Sequence, residues 1–224
     1  MPETTRKGLF IAFEGGEGAG KTTQARLLQE RLQGLGMMVV LTREPGGTAL
    51  GEHLREISLR PSGEERSPKN AGSGLAPAAE LFLFLAARAQ LVSEVIRPAL
   101  ESGAIVVCDR YSASTIAYQG YGRGLDVEAV REACDLAAGG LQPDLSILLD
   151  ISVDDGLGRK GVAGEARDAI GGESSDFHER VRRGFQELVA AEPAGWLVVD
   201  AALSPEEIAR SIWRQVAELL GNDV

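Results

Sequence analysis

The 224-residue chain has few of the residues that build disulfide frameworks, metal centres or catalytic imidazoles. Its two cysteines, Cys108 and Cys134, are too few for a disulfide framework and lack the spacing of metal ligands. Cys108 ends an apolar run, which predicts a buried, reduced thiol. The two histidines, His53 and His178, have no partner at catalytic spacing and are interpreted as structural or surface residues.

Long apolar stretches and an excess of positive charge are also missing. No apolar run reaches the length that crosses a membrane, and residues 1–7 are too short and polar for a signal peptide. A net charge of −10 argues against a nucleic-acid duplex or an anionic membrane as a partner. We therefore expect a cytoplasmic protein. Arginines far outnumber lysines, however, and a local arginine cluster binds phosphate well.

Five short apolar runs predict the strands of one sheet. Each run is nearly continuous, which is typical of parallel strands that are covered on both faces. The runs are residues 9–13, 37–41, 104–108, 145–151 and 197–199. Because helical patterns lie between them, we predict a doubly wound α/β fold. It consists of a five-stranded parallel sheet flanked by helices, in a single domain of residues 1–224.

Caps and periodicity predict the helices. One follows the first strand over residues 24–35, and a long apolar helix covers 78–100, with Pro98 kinking or ending it. Asp126 and Ser175 are predicted to cap two more helices, and Ser204 begins a capping box for the last one. The predicted buried positions of the first and last helices are Ala25, Leu28, Leu32 and Leu35, and Ile208, Ile212, Val216 and Leu219.

Two segments interrupt the alternation of strands and helices. Residues 60–77 are rich in proline, glycine, serine and charge, which predicts a mobile surface loop. Residues 156–174 contain six glycines and little periodicity. They predict a flexible lid between the fourth strand and the next helix.

The strongest functional motif follows the first strand. Residues 15–22, GGEGAGKT, fit the phosphate-binding pattern G-x-x-x-x-G-K-[ST]. Glycines let backbone N–H groups turn inward around phosphate oxygens, and the helix N-terminus adds about half a positive charge. Lys21 is predicted to reach the β- and γ-phosphates of a nucleotide, and Thr22 to offer its hydroxyl to Mg²⁺. The predicted ATP-binding residues are Gly15, Gly16, Glu17, Gly18, Ala19, Gly20, Lys21, Thr22 and Thr23.

This motif, the P-loop, indicates nucleotide phosphate but not a reaction. The guanine-reading Asn-Lys-x-Asp sequence of GTPases is missing, and the chain is too short for the additional modules of most motor ATPases. A P-loop kinase, a partition-type or signalling ATPase and a non-catalytic nucleotide-binding module remain open. A kinase turns over ATP with one of a panel of acceptors, and an ATPase hydrolyses ATP without an acceptor. A binding module binds the nucleotide without turnover.

Further motifs make a family resemblance specific. The segments FEGGEGAGKTT at 13–23, TREPGGT at 42–48, ELFLFLAARAQL at 80–91 and DRYSASTIAYQG at 109–120 occur in this order along the chain. Together they resemble the bacterial type of thymidylate kinase. The resemblance implies a nucleoside-monophosphate-kinase fold, a homodimer, and the Mg²⁺-dependent reaction of ATP with dTMP to give ADP and dTDP. That reaction is a step toward dTTP for DNA synthesis.

Side-chain chemistry agrees with the resemblance at the phosphate site. Asp109 follows a buried strand beside the P-loop and is predicted to hold Mg²⁺ with Thr22, directly or through water. Arg110 resembles the family's arginine that grips the acceptor phosphate. The alternatives are a helix-capping role for Asp109 and a surface role for Arg110. The predicted catalytic residues are Lys21, Arg110, Arg159 and Arg167.

The resemblance also implies an acceptor pocket. Phe84 stacks on the thymine ring, and Arg88, on the same helix face, points at a base carbonyl. Without the resemblance, the apolar neighbours of Phe84 favour a core position for it instead. Thr115 reads the pyrimidine edge, while Tyr118 crowds the 2′-carbon and disfavours ribose. Glu17, which would repel ATP if it faced the phosphates, accepts a hydrogen bond from the sugar 3′-OH. The predicted substrate-binding residues are Glu17, Arg55 (preferred to Arg43), Phe84, Arg88, Arg110, Ser114, Thr115, Tyr118 and Gln119.

The lid departs from the family pattern. The variable P-loop positions carry no basic residue. The resemblance to the bacterial type of thymidylate kinase implies that an arginine of the lid acts in the transition state instead. The family's lid closes with Asp-Arg-x-Glu, whereas this chain has the reversed order Arg167-Asp168. The hypothesis is that Arg159 or Arg167 closes over ATP.

Overall fold

Five parallel strands form one sheet in the computed structural model, which describes residues 8–59, 75–162 and 170–221, without the side chains of residues 161 and 162. The strands are β1 Leu9–Glu14, β2 Val39–Arg43, β3 Ile105–Asp109, β4 Leu145–Asp150 and β5 Trp196–Asp200. Their order is β2-β3-β1-β4-β5, so that β1 is central and pairs in parallel with β3 and β4. The predicted five-stranded parallel sheet is confirmed.

Helices connect the strands and cover both faces of the sheet. They are α1 Lys21–Gly34, α2 Ala49–Ser58, α3 Pro77–Leu91, α4 Arg97–Glu101, α5 Ser112–Thr115, α6 Val127–Ala138, α7 Val153–Val162, α8 Ser175–Ala191 and α9 Pro205–Leu220. Two π-helical segments, Val92–Ile96 and Ile116–Gly122, join α3 to α4 and extend α5. In the part of the chain described here, no helix combines the length and the apolar character needed to cross a membrane.

The hydrophobic core has one layer on each face of the sheet. Side chains of a strand alternate between its faces, so Ile11 and Phe13 of β1 pack with the apolar faces of α1 and α9. Phe10 and Ala12 point the other way, into a cluster that includes Leu91 and the following π-helical segment. The central strand is therefore buried on both sides, as its continuous apolar sequence predicted.

Several helix details differ from the prediction. Leu35 is 49% exposed because α1 ends at Gly34, after which the helical period no longer applies. In α9 the inward positions advance in steps of four, so Leu220 is buried and Leu219 is exposed. The cap of α8 is Ser174 rather than Ser175, and its hydroxyl accepts a hydrogen bond from the backbone N–H of Phe177. The predicted caps at Asp126 and Ser204 are confirmed.

The two interrupting segments are partly helical. Residues 156–162 of the predicted lid belong to α7, and Pro77 begins α3 instead of ending the loop. The prediction also missed α2, which Thr48 caps by accepting a hydrogen bond from Gly51 N–H at 2.9 Å. The remaining parts of the predicted loop and lid, residues 60–74 and 163–169, lie outside the described residues.

Pro98 changes the geometry of its helix without ending it at once. A proline ring lacks an N–H and clashes with the carbonyl four residues earlier, so an α-helical turn before it is strained. The segment Val92–Ile96 widens into a π-helix directly before Pro98, and α4 then ends at Glu101. At the proline where the sequence predicted a kink or an end, the helix first widens into a π-helical turn and then ends after one short α-helical segment.

The P-loop and the first turn of α7 are in backbone contact. A Cβ atom on Gly18 would lie 2.0 Å from the carbonyl oxygen of Gly156, and one on Gly156 would lie 2.3 Å from the carbonyl oxygen of Glu17. Real Cβ contacts essentially never fall below 3.0 Å. Both positions therefore require glycine, and α7 is held against the P-loop.

We expect Gly156→Ala to destabilise the fold by about 1–3 kcal/mol, because the methyl group must push α7 away from the P-loop. Gly158→Ala is the matched control on the same helix, since a Cβ there has nothing within 4 Å. The control should gain about 0.5–1 kcal/mol from the higher helix propensity of alanine. Urea unfolding of both variants measures the difference, and equal stabilities would contradict the close contact.

Candidate active site

The P-loop presents free backbone N–H groups at the start of α1. Gly20, the cap residue, has a left-handed backbone with φ 86°, and no side chain caps the helix among the described residues. The first N–H groups of α1 therefore remain available to an anion. Lys21 folds back over the loop, and its Nζ donates to the carbonyl of Gly16 at 2.7 Å. Burial lowers the pKa of Lys21 to about 8.

A hydroxyl and a carboxylate meet beside this loop. Asp109 ends β3, next to Phe13 of β1, and Thr22 is the second residue of α1. The Thr22 hydroxyl donates to Asp109 Oδ2 at 2.5 Å. Two adjacent oxygen ligands suit Mg²⁺, which takes few protein ligands and completes its shell with phosphates and water. No cluster of three or more His, Cys, Asp or Glu side chains placed to hold a metal ion occurs among the described residues.

Arg110 connects the P-loop to the segment after β3. Its backbone has φ 76°, an uncommon value for a residue with a side chain, and costs about 1–3 kcal/mol. Its Nη1 donates to the carbonyl of Gly15 at 3.1 Å and to Ser114 Oγ at 3.3 Å. Its Nη2 donates to Glu17 Oε1 at 2.7 Å. The strained backbone thus directs the guanidinium into the site.

Glu17 faces three donors outside its own loop. Oε1 accepts from Arg110 and from the Tyr118 hydroxyl at 2.9 Å, and Oε2 accepts from Lys160 Nζ at 2.5 Å. Burial alone would raise the pKa of Glu17, but Arg110, Lys21 and Lys160 together hold it well below its ordinary value. The carboxylate is therefore ionised and turned away from the backbone N–H groups of the P-loop.

A second carboxyl group, Glu14, lies beneath the site. Its oxygens accept from the Tyr111 backbone N–H at 3.0 Å and from the Ser114 hydroxyl at 2.5 Å. Complete burial raises the pKa of Glu14 to about 7, although these hydrogen bonds and the positive charges of Arg110 and Arg88 act in the opposite direction.

A buried ion pair between Arg88 and Glu44 lies at the end of the site away from the P-loop. Arg88 of α3 is 2% exposed and donates to Glu44 through Nε, at 2.9 Å, and through Nη2, at 2.5 Å. The same Nη2 donates to Thr115 Oγ1 at 2.8 Å. Burial raises the pKa of Glu44, and the charge of Arg88 opposes this. The planar fork of Arg88 is thereby fixed, with Thr115 beside it.

Aromatic and amide side chains complete that end. Phe84 lies one helical turn before Arg88 and is 8% exposed. Tyr118 lies on the π-helical segment and packs near Phe177 and Phe185. Burial raises the pKa of Tyr118, so that its hydroxyl stays protonated and donates to Glu17. The side-chain amide of Gln119 donates from Nε2 to Glu80 Oε1 at 2.8 Å.

These groups line one open cavity of about 440 Å³. Within the described parts of the chain, its charged lining consists of seven basic residues and three acidic residues. They are Lys21, Arg43, Arg55, Arg88, Arg110, Arg159 and Lys160, and Glu17, Glu44 and Asp109. A protein of net charge −10 therefore concentrates positive charge at this cavity, which suits phosphate-bearing ligands.

Comparisons with known proteins agree with this geometry. The family model for thymidylate kinase matches residues 13–212. The chain belongs to the thymidylate kinase family. It is 51% identical to a thymidylate kinase of Synechococcus sp. over 208 residues, which cover 93% of this chain and 95% of the relative. A relative of the same name from Solidesulfovibrio magneticus is 49% identical over 218 residues, covering 95% of this chain and 100% of the relative.

A solved structure supports the same assignment. The crystal structure of thymidylate kinase from Ehrlichia chaffeensis superposes with a TM-score of 0.72 at 31% identity. The match covers 94% of this chain and 99% of that one. The P-loop kinase fold predicted from the sequence is therefore confirmed as a thymidylate kinase fold.

The cavity brings together most of the residues predicted for a thymidylate kinase. Of the predicted site, Gly15, Gly16 and Ala19 belong to the loop but do not line the cavity, and Arg167 lies outside the described residues. Arg55 lines the cavity and donates to the carbonyl of Pro45 at 3.0 Å. Arg159 also lines it, but its Nη1 donates to the carbonyl of Ala201 at 2.8 Å.

Three charged residues of the site were not predicted: Glu14, Glu44 and Lys160. Glu14 and Glu44 lie inside the family motifs at 13–23 and 42–48, and this position in the sequence could have identified them as site residues. Lys160 contacts a residue 143 positions away, and nothing in its local sequence indicates that contact. The remaining candidates behave as structural residues: both cysteines are buried free thiols, His178 is buried and His53 is exposed.

Glu14 should make the stability of this protein depend on pH. Its pKa is raised from 4.5 to about 7, so the folded protein binds this proton more tightly than the unfolded chain. The contribution is complete below pH 4.5 and is lost as the pH rises through 7. Between pH 5 and 8, wild type should lose about 2–3 kcal/mol relative to Glu14→Gln. Urea unfolding of both proteins at each pH tests this, and parallel profiles would contradict it.

Proposed function

We propose that this chain transfers the γ-phosphoryl group of ATP to dTMP, giving ADP and dTDP. The observation that carries the proposal is that one cavity is lined both by the P-loop and by Phe84, Arg88 and Thr115. A donor and an acceptor can thus meet in one positively charged site. Membership of the thymidylate kinase family supports dTMP as the acceptor.

The donor end of the site binds triphosphate. The free N–H groups at the start of α1 surround the phosphates, and Lys21 leaves the Gly16 carbonyl to bind their oxygens. Thr22 and Asp109 would hold Mg²⁺, which when bound would supply positive charge against the phosphates. Since phosphate oxygens replace a carbonyl as its partner, Lys21 keeps its positive charge despite its burial.

The acceptor end selects a deoxyribonucleotide with a pyrimidine base. Phe84 stacks on the ring, and Arg88, fixed by Glu44, donates to a base carbonyl while Thr115 lies at the pyrimidine edge. Tyr118 leaves little room beside the sugar 2′-carbon, and Glu17 accepts from the 3′-OH. Arg110 and Arg55 bind the acceptor phosphate, which their planar forks match well.

The reaction needs no protein nucleophile and no general base. The acceptor phosphate is already anionic, and one of its oxygens forms the new bond to the γ-phosphorus. The bond from that phosphorus to the β–γ bridging oxygen breaks, and its electron pair stays with ADP. Catalysis therefore consists of alignment and neutralisation of charge by groups that are already in place, with Lys21 and Arg110 foremost.

A coupled assay of ADP release with dTMP, dUMP, dCMP, UMP, AMP, GMP and thymidine tests this function. We expect dTMP to be the best acceptor, with dUMP reduced by the roughly 10–200-fold that a missing methyl group accounts for and UMP reduced further by Tyr118. Lys21→Ala should lower kcat about 10²–10⁴-fold, which assigns the turnover to this P-loop. ADP release that does not depend on an acceptor, or a preference for another monophosphate, would contradict the proposal.

We also propose that the protein is a homodimer, with α2 and α3 at the interface. These two helices pack on each other. They expose three large apolar side chains, Leu50, Ile57 and Phe82, of which Phe82 is 64% exposed. Exposed apolar groups on two helices that pack together favour burial against a second copy of the chain. The family resemblance supports the same assembly.

Phe82→Asp should separate the dimer, because the interface then has to bury a charge. Light scattering after size exclusion should give a mass near 23.7 kDa for the variant and about twice that for wild type. Leu203→Asp is the control: it alters an equally apolar residue, 42% exposed, beyond β5 at the opposite edge of the sheet. A monomeric wild type, or a dimeric Phe82→Asp, would rule out this interface.

A further inference from the structure

Lys160 is placed over the P-loop by the backbone of α7. The contact between Gly18 and Gly156 leaves no space for a methyl group on either residue, so the first turn of α7 packs directly against the backbone of the loop. Lys160 follows Gly156 by four residues and therefore lies on the same face of the helix. The helix thus directs this side chain toward the P-loop, whatever the position of the lid residues beyond it.

The two described basic residues of α7 have different surroundings. Lys160 Nζ donates to Glu17 Oε2 at 2.5 Å, inside the cavity. The preceding residue, Arg159, donates to the carbonyl of Ala201, which follows β5. Adjacent residues of an α-helix point about 100° apart. Both side chains line the cavity, but of the two it is Lys160 that donates to Glu17. Lys160 is the one on the side of Arg110.

Glu17 occupies the space between two cations. Its carboxylate accepts from Arg110 on one oxygen and from Lys160 on the other, and it belongs to the loop that wraps the nucleotide phosphates. Carboxylate and phosphoryl oxygens attract the same donors. If Lys160 moves to a phosphoryl oxygen, Glu17 still keeps Arg110 and Tyr118 as donors. Lys160 can therefore move away from Glu17 without leaving the buried carboxylate without a hydrogen-bond donor.

We propose that Lys160 is the α7 cation that binds the transferring phosphoryl group and that Glu17 holds it in place before the nucleotides enter. This role rests on the proposed function, and it replaces the hypothesis that Arg159 supplies this charge. As the bond to the β–γ bridging oxygen breaks and the bond to the acceptor oxygen forms, Lys160 keeps its proton and its charge. It stabilises negative charge on the phosphoryl oxygens and transfers no atom.

Lys160→Met tests the role, because methionine keeps much of the side-chain length and removes the charge. We expect kcat and the single-turnover rate with ATP and dTMP to fall about 10²–10³-fold, with a much smaller change in the KM for dTMP. Lys160→Arg should recover most of the loss by restoring a cation. Arg159→Met, measured beside it, should lose less than Lys160→Met. Thermal melting verifies that each variant is folded.

A matched pair separates a role on the phosphoryl group from a role in neutralising Glu17. In the Glu17→Gln variant, the carboxylate whose charge Lys160 neutralises is absent. If Lys160 acts on the phosphoryl group, adding Lys160→Met to Glu17→Gln still lowers the single-turnover rate at least tenfold. If the added change has no effect there, or if Lys160→Met alone stays within threefold of wild type, the proposal is wrong.

The wild-type control distinguishes this proposal from the function on which it rests. Wild-type protein that releases ADP with dTMP establishes the reaction independently of Lys160, so a normal rate in Lys160→Met would then overturn only the role of the lysine. Wild-type protein with no dTMP-dependent ADP release would overturn the proposed function and the role of Lys160 together.

Discussion

The contacts of Arg110 hold the two halves of the site together. Its backbone N–H donates to the carbonyl of Phe13 at 2.9 Å, and its guanidinium reaches Gly15, Ser114 and Glu17. The end of β1, the P-loop and the segment after β3 are thus fixed to one another by one side chain. Its left-handed backbone is the cost of this arrangement, and the charge-assisted hydrogen bonds that it permits offset that cost.

The distribution of charge follows from the same arrangement. An acidic protein binds an anionic nucleotide only if its cations are gathered where the phosphates lie, and the cavity lining gathers them. Like charges packed so closely repel one another, and the carboxylates of Glu17, Glu44 and Asp109 reduce that repulsion in the folded protein. Each of these carboxylates already has a partner that can be exchanged or kept when ligands bind.

Local patterns in the sequence predicted the scaffold because their physical causes are local. A continuous apolar run buries a parallel strand, and Asp126 or Ser204 caps a helix through a hydrogen bond three residues away. α7 was missed because glycine has low helix propensity. The helix forms there against the P-loop, a contact that no local pattern contains. Likewise, motifs located Arg88, Thr115 and Tyr118, but the pairing of Arg88 with Glu44 depends on the folded sheet.

The π-helical segment Ile116–Gly122 has a consequence for comparing sequences within the family. A π-helical turn holds one more residue than the α-helical turn from which it arises, so it behaves as a one-residue insertion inside a helix. Tyr118 and Gln119 lie within this segment. Deleting one residue there would return the turn to α geometry while the helix on either side keeps its register, so the change would be confined to the residues of this segment. An alignment that shows a gap at this point therefore indicates a relative in which this part of the cavity wall has different side chains.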